Sequence, residues 1–116
     1  MKKTTKAIMT SPLGEFEQLV LLATLQLDAE ARARDIRRRI EESSGRSVSR
    51  GALYATLDRL VAKGLLDWEV EASSPARGGL ASRRFVVTAG GLEALRRSYK
   101  AMVTLARGLE RLLGRV

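Results

Sequence analysis

The sequence predicts a mainly α-helical domain with one small two-stranded β-sheet. Three observations predict it. Apolar residues recur at helical spacing in three stretches between residues 12 and 64. The period then drops to two over 66–70 and 83–87, and helical spacing returns from Leu92 to Leu113. The 116 residues suffice for one domain. Apolar residues make up 45% of the chain and aromatics only 4%, so the core must be built mainly from Leu, Val, Ile and Ala.

The first helix is expected to enter at Ser11-Pro12, because proline is tolerated in a first helical turn. Phe16, Leu19, Val20, Ala23 and Leu27 mark one face, and Leu21, Leu22 and Leu25 occupy much of the rest. A helix apolar nearly all round is packed on more than one side. In the second helix, "EARARDIRRRIEESSG", Ala33, Ile36 and Ile40 point inward and Gly45 supplies the stop. Its outer face carries Arg32, Arg34, Arg37, Arg38 and Arg39. These arginines either pair within the helix, as in Arg37–Glu41 and Arg38–Glu42, or reach for phosphate.

The third helix runs from Ser49, a good N-cap, to Gly64, with Leu53, Leu57, Leu60 and Val61 inward. The link from Gly45 to Val48 is short enough for a helix-turn-helix. Leu66, Trp68 and Val70 then alternate with acidic residues, and Arg83, Phe85 and Val87 form a second alternating run, with Trp68 expected in the core. The segment between them, "ASSPARGGLAS", is a loop by composition. Three helices followed by a hairpin give a winged helix-turn-helix, with Arg77 and Gly78-Gly79 at the tip of the wing. From Thr88 onward, Leu92, Leu95, Tyr99, Met102, Ala106, Leu109 and Leu113 step by alternating threes and fours, a seam for pairing with a second helix. A roughly 25-residue helix would be about 37 Å long, more than a compact domain can cover by itself. The expected organisation is therefore a basic arm over 1–12, a winged helix-turn-helix over 13–88 and a long C-terminal dimerisation helix over 89–116.

Composition narrows the function. Lys and Arg number 21 against 13 Asp and Glu, a net charge of +8, which favours a polyanionic partner. Histidine and cysteine are absent, so no zinc site, disulfide scaffold or histidine-activated nucleophile can be assembled. No enzyme activity, catalytic residue, metal or cofactor is expected. No apolar run reaches the length of a membrane span, and a cytoplasmic, nucleoid-associated protein is expected.

In a helix-turn-helix the start of the second helix meets base edges in the major groove. Arg50 can fork onto guanine or phosphate, and Ser49 can cap or touch a phosphate. Gly51 opens space for close approach, and Tyr54 follows one turn later on the same face. Arg59 lies too far along for bases and is a phosphate candidate, as are Arg34 and Arg38 of the second helix and Arg77, Arg83 and Arg84 of the wing.

These residues resemble the PadR family of bacterial transcriptional regulators. The likeness runs through "LGEFEQLVLLATLQL", "IRRRIEESSGRSVSRGALYATLDRLVAKGLL" and "RGGLASRRFVVTAGG", most of residues 13–91. The resemblance implies a winged helix-turn-helix regulator of double-stranded DNA, a repressor, dimeric through a single C-terminal helix and acting on a two-fold symmetric operator. It places the groove-entering turn at Ser49, Gly51 and Tyr54 and the basic tip of the wing at Arg77. In some relatives the dimer interface holds a small apolar effector, which no residue here requires. Arg32-Ala33 stand where relatives carry Tyr-Gly, and Leu80 and Ser82 replace basic residues, so the operator is expected to differ. The other reading open at this point is a winged-helix protein-interaction module without specific DNA binding.

Overall fold

The computed structural model describes residues 12–72 and 82–114. Its elements are α1 Glu15–Leu27, α2 Ala33–Ser44, α3 Arg50–Ala62, β1 Leu66–Glu71, β2 Ser82–Val87, α4 Ala89–Ala106 and α5 Glu110–Leu113, with a 3₁₀ turn at Asp28–Glu30 between α1 and α2. This is the expected mainly helical class with a two-stranded wing. Residues 1–11 of the expected arm, together with Arg77, Gly78-Gly79 and Leu80 of the wing, lie outside the described residues.

Helix α1 starts at Glu15 rather than at Pro12. Gly14 takes the extended N-cap conformation, and the Glu17 carboxylate accepts its N–H at 2.9 Å. The buried face of α1 is Val20, Leu21, Ala23 and Thr24, and it includes Glu17. Thr24 satisfies its hydroxyl by donating to the Val20 carbonyl at 2.7 Å. Leu22 and Leu25 remain exposed, so the expected second packing side of α1 is uncovered within one chain.

Gly45 ends α2 in the left-handed conformation, φ 73°. The turn that follows is stitched by Glu41, whose Oε2 accepts the Val48 N–H at 2.9 Å while the Val48 side chain is buried. The expected Arg37–Glu41 and Arg38–Glu42 pairs do not form among the described residues; Glu41 is engaged by the turn instead. Ser49 then caps α3, its Oγ accepting the Ala52 N–H at 3.1 Å. Leu53, Leu57 and Leu60 are fully enclosed with Ile36, Val20 and Leu21. At about 1.5–3 kcal/mol for each fully buried leucine, this face is what holds α3 to the domain.

Strands β1 and β2 pair antiparallel with Trp68 opposite Phe85 and Glu69 opposite Arg84. The outer side of β2 meets the segment between α1 and α2: the Phe85 N–H donates to the Ala31 carbonyl at 2.8 Å, and Arg32 bridges Arg84. Phe85 is core, but Trp68 is not; it is 39% exposed, with the Arg83 guanidinium 4.9 Å from its ring centre. A cation covers the outer ring face where apolar neighbours were expected.

Thr88 joins the wing to α4 twice over, accepting the Gly91 N–H at 3.0 Å and donating to the Gly64 carbonyl at 2.7 Å. The glycine pair at the start of α4 is not simply a weakness. A Cβ on Gly91 would come within 2.0 Å of the Leu65 carbonyl oxygen, so the crossing of α4 over that peptide demands glycine. The long C-terminal helix expected over 89–116 is in fact two helices. Gly108, φ 87°, breaks it, and α4 is about 27 Å long at 1.5 Å per residue. Leu95 is also corrected: it is 6% exposed and sits in the chain's own core with Ala94, not on a free seam.

Two outcomes follow. Gly91→Ala should lower stability by about 1–3 kcal/mol, the usual range for overpacking, read as a reduced urea midpoint. Acid should loosen the anchorage of α1. Burial pushes the Glu17 carboxyl up, but the Gly14 N–H, Lys63 and Arg59 outweigh it and hold the group below its ordinary value of 4.5. Such a group contributes stability that is full above its unfolded pKa and disappears as pH falls through its folded pKa. Urea midpoints measured downward from about pH 5 should fall less steeply in Glu17→Gln than in the wild-type chain.

Candidate nucleic-acid interface

Leu53, Leu57 and Leu60 face inward; Gly51 and Tyr54 lie off that face, and Arg50, in line with Leu57 but at the first position of α3, is exposed at the helix end. They do not stand alone. Arg34 and Arg37 of α2 join Arg50, Leu53 and Tyr54 around one groove. Arg34, Arg38 and Tyr54 line an adjoining cleft with Arg83 and Phe85 of β2, where Glu30 and Asp35 also stand, beside Arg32. Tyr54 and Arg34 belong to both, so α2, α3 and β2 share one concave, basic face with Tyr54 near its centre.

The ion pairs sort the arginines into two groups. Arg32 is held by Glu71 and Glu30, each at 2.8 Å, and lies 3.7 Å from Asp35. Arg84 pairs with Glu69 at 2.8 Å across the strands, and Arg59 with Glu17 at 3.1 Å. The bond to Glu71, then that to Glu30, raises the Arg32 pKa; the bond to Glu69 raises that of Arg84. By contrast Arg34, Arg37, Arg38 and Arg50 make no ion pair or hydrogen bond with other side chains among the described residues. Arg83 makes no ion pair among the described residues and lies over Trp68 and Phe85 at 4.9 and 5.3 Å. Several of the cations left without an ion pair, Arg34, Arg37, Arg38, Arg50 and Arg83, gather around Tyr54. Such a surface attracts an extended polyanion, and its curvature and fork-shaped donors suit phosphates and base edges.

No protein-family model matches the sequence, and no curated protein does. Solved structures do match. A PadR-like transcription factor from Bacteroides fragilis superimposes with a TM-score of 0.67 at 25% identity, over 95% of this chain and 99% of the other. A PadR family transcriptional regulator from Eggerthella lenta gives 0.62 at 25% identity, over 88% of each chain. F93 from STIV, a winged-helix DNA-binding protein, shares the fold at 15% identity, with a TM-score of 0.61 over 83% of this chain and 97% of its own. The chain therefore shares the fold of solved PadR-like transcriptional regulators.

In this chain the turn expected to enter the groove, Ser49, Arg50, Gly51 and Tyr54, is surface-exposed and contiguous, and Arg34, Arg38 and Arg83 lie beside it. Ser49 is occupied as a helix cap. Arg59 and Arg84 are drawn away by Glu17 and Glu69, which takes them out of the unneutralised set. Arg32, one of the departures from the family pattern, is likewise locked to the wing by Glu71 rather than offered to solvent. Arg37 is the residue that sequence reasoning undervalued. Its apparent partner, Glu41, lies at the right spacing, and only the turn geometry reveals that Glu41 is engaged elsewhere.

Gly51 is exposed, and a Cβ there would meet nothing within 4 Å. The fold gives no reason for glycine in this helix. Gly51→Ala should therefore stabilise the chain by up to about 1 kcal/mol in urea unfolding while weakening DNA binding in a gel-shift assay. Arg50→Ala with Tyr54→Ala should weaken operator binding with the fold intact by circular dichroism.

Proposed function

We propose that this chain is a PadR-family, sequence-specific regulator of transcription that binds double-stranded DNA as a homodimer and represses from a two-fold symmetric operator. The observation that carries the reading is the sorting of charge: Arg34, Arg37, Arg38 and Arg50 are unneutralised, and all border the first turn of α3 or the cleft beside it. In the act of binding, that turn enters the major groove, where Arg50 and Tyr54 meet base edges or flanking phosphates. The α2 arginines and Arg83 grip phosphates on either side.

A second copy is supported by what α4 and α5 leave open. Tyr99 is 69% exposed, Met102 65%, Leu105 77% and Leu112 82%. Leu109, Leu113 and Leu92 are exposed as well, and so many exposed apolar side chains on α4 and α5 favour a covering partner. A matching face on a second chain would cover them and set two α3 helices about 34 Å apart, one turn of DNA. A second chain suffices to explain the stripe without a small-molecule effector. Occupancy of a promoter by such a dimer blocks polymerase.

Selection from a random duplex pool at physiological salt should enrich a symmetric site. For about 6–10 phosphate contacts, affinity for that site should drop roughly 10³–10⁵-fold between 50 and 200 mM salt. An interaction module without specific DNA binding would enrich no site. In sedimentation, the wild type should run as a dimer and Met102→Lys with Leu105→Lys as a folded monomer.

A further inference from the structure

Outside the basic face, one carboxylate joins α1 to α3. Glu17 is buried in the first turn of α1. Its Oε1 accepts the Gly14 N–H at 2.9 Å; its Oε2 accepts from Arg59 Nε at 3.1 Å and from Lys63 Nζ at 2.9 Å. Arg59 and Lys63 lie one turn apart at the end of α3, opposite the turn that carries Arg50 and Tyr54. Arg59 is held on its other side by Thr56 Oγ1 at 3.1 Å, and Thr56 is itself buried.

The leucines beneath α3 fix which face turns inward, but apolar contact is non-directional and leaves the last few degrees of axial rotation to directional contacts. Charge-assisted hydrogen bonds are directional. Rotation matters at the other end of the same rigid rod. At a radius of about 5–6 Å, a 10° turn moves a side-chain tip by about 1 Å, and hydrogen bonds to bases tolerate only a few tenths of an ångström. We propose that Glu17 is a positioning residue: through Arg59 and Lys63 it fixes the axial rotation of α3, and so the alignment of Arg50 and Tyr54 with DNA. The inference rests on the DNA-binding reading above. It also gives Arg59 a role different from the phosphate contact that its charge alone implies.

Glu17→Gln keeps the shape of the side chain and leaves both cations in place. It should lower the ratio of specific to random-duplex affinity at least tenfold. The slope of log affinity against log salt should stay unchanged, because no phosphate contact is lost. Arg59→Gln should do the same, and the double variant should be no worse than either single one. A slope reduced by about one per subunit in Arg59→Gln, with Glu17→Gln silent, would make Arg59 a phosphate contact and overturn the proposal. So would a lowered melting temperature with an unchanged affinity ratio. Should Glu17→Gln fail to fold, Lys63→Gln, which keeps the Arg59–Glu17 bond, should give a smaller loss in the same ratio; no loss overturns the proposal. Amide exchange of residues 51–54 in the DNA-free protein supplies an independent readout. It should quicken at least fivefold in folded Glu17→Gln, and an unchanged rate overturns the proposal. A wild-type chain preferring no duplex would sink the DNA reading, and the exchange rates would then decide alone whether Glu17 holds α3.

Discussion

Burial of Leu53, Leu57 and Leu60 is the constraint from which the functional surface follows. These side chains lie on one face of α3 and are almost wholly removed from water. Once that face is committed to α1, α2 and the sheet, the orientation of every other residue on α3 is settled by the helical period. Gly51 and Tyr54 are exposed because they lie off the buried face, and Arg50 because it stands at the first position of the helix. The core thus selects which side chains are presented, and the neighbouring α2 and β2 supply the remaining cations of the same face.

Electrostatics does a second sorting that geometry alone would not. The chain carries an excess of positive charge, but several arginines on or near the wing and α3 are tied to specific carboxylates: Arg32 to Glu71, Arg84 to Glu69, Arg59 to Glu17. The acidic residues are therefore not a uniform dilution of the basic ones. They pair with the arginines of the wing base and the far end of α3, while Arg34, Arg37, Arg38 and Arg50 around Tyr54 form no ion pair among the described residues.

Much of this was legible in the residues. Ser49 as a cap, Gly45 and Gly64 as stops, and the change from helical to alternating period placed α2, α3 and the wing within a residue or two. What escaped was three-dimensional in origin. Spacing offered Glu41 to Arg37, whereas the turn claims Glu41 through Val48. Alternation put Trp68 inside, but its strand lies at the rim, and Arg83 covers the ring. The heptad stepping from Leu92 to Leu113 ran through Gly108 and through Leu95 without revealing that the first interrupts the helix and the second belongs to the domain's own core. The importance of Gly91 could not be read either, because the peptide it must accommodate, Leu65, is distant in sequence.

That crossing has a mechanical consequence. With α4 resting directly on the Leu65 backbone, and Thr88 bonded to Gly64 on one side and Gly91 on the other, the root of α4, the base of the wing and the exit of α3 form a single pivot. No slack separates them: a tilt of α4 levers the peptide beneath it. Whatever sets the angle of the C-terminal helix therefore also sets the pose of the wing and of the helix beside it.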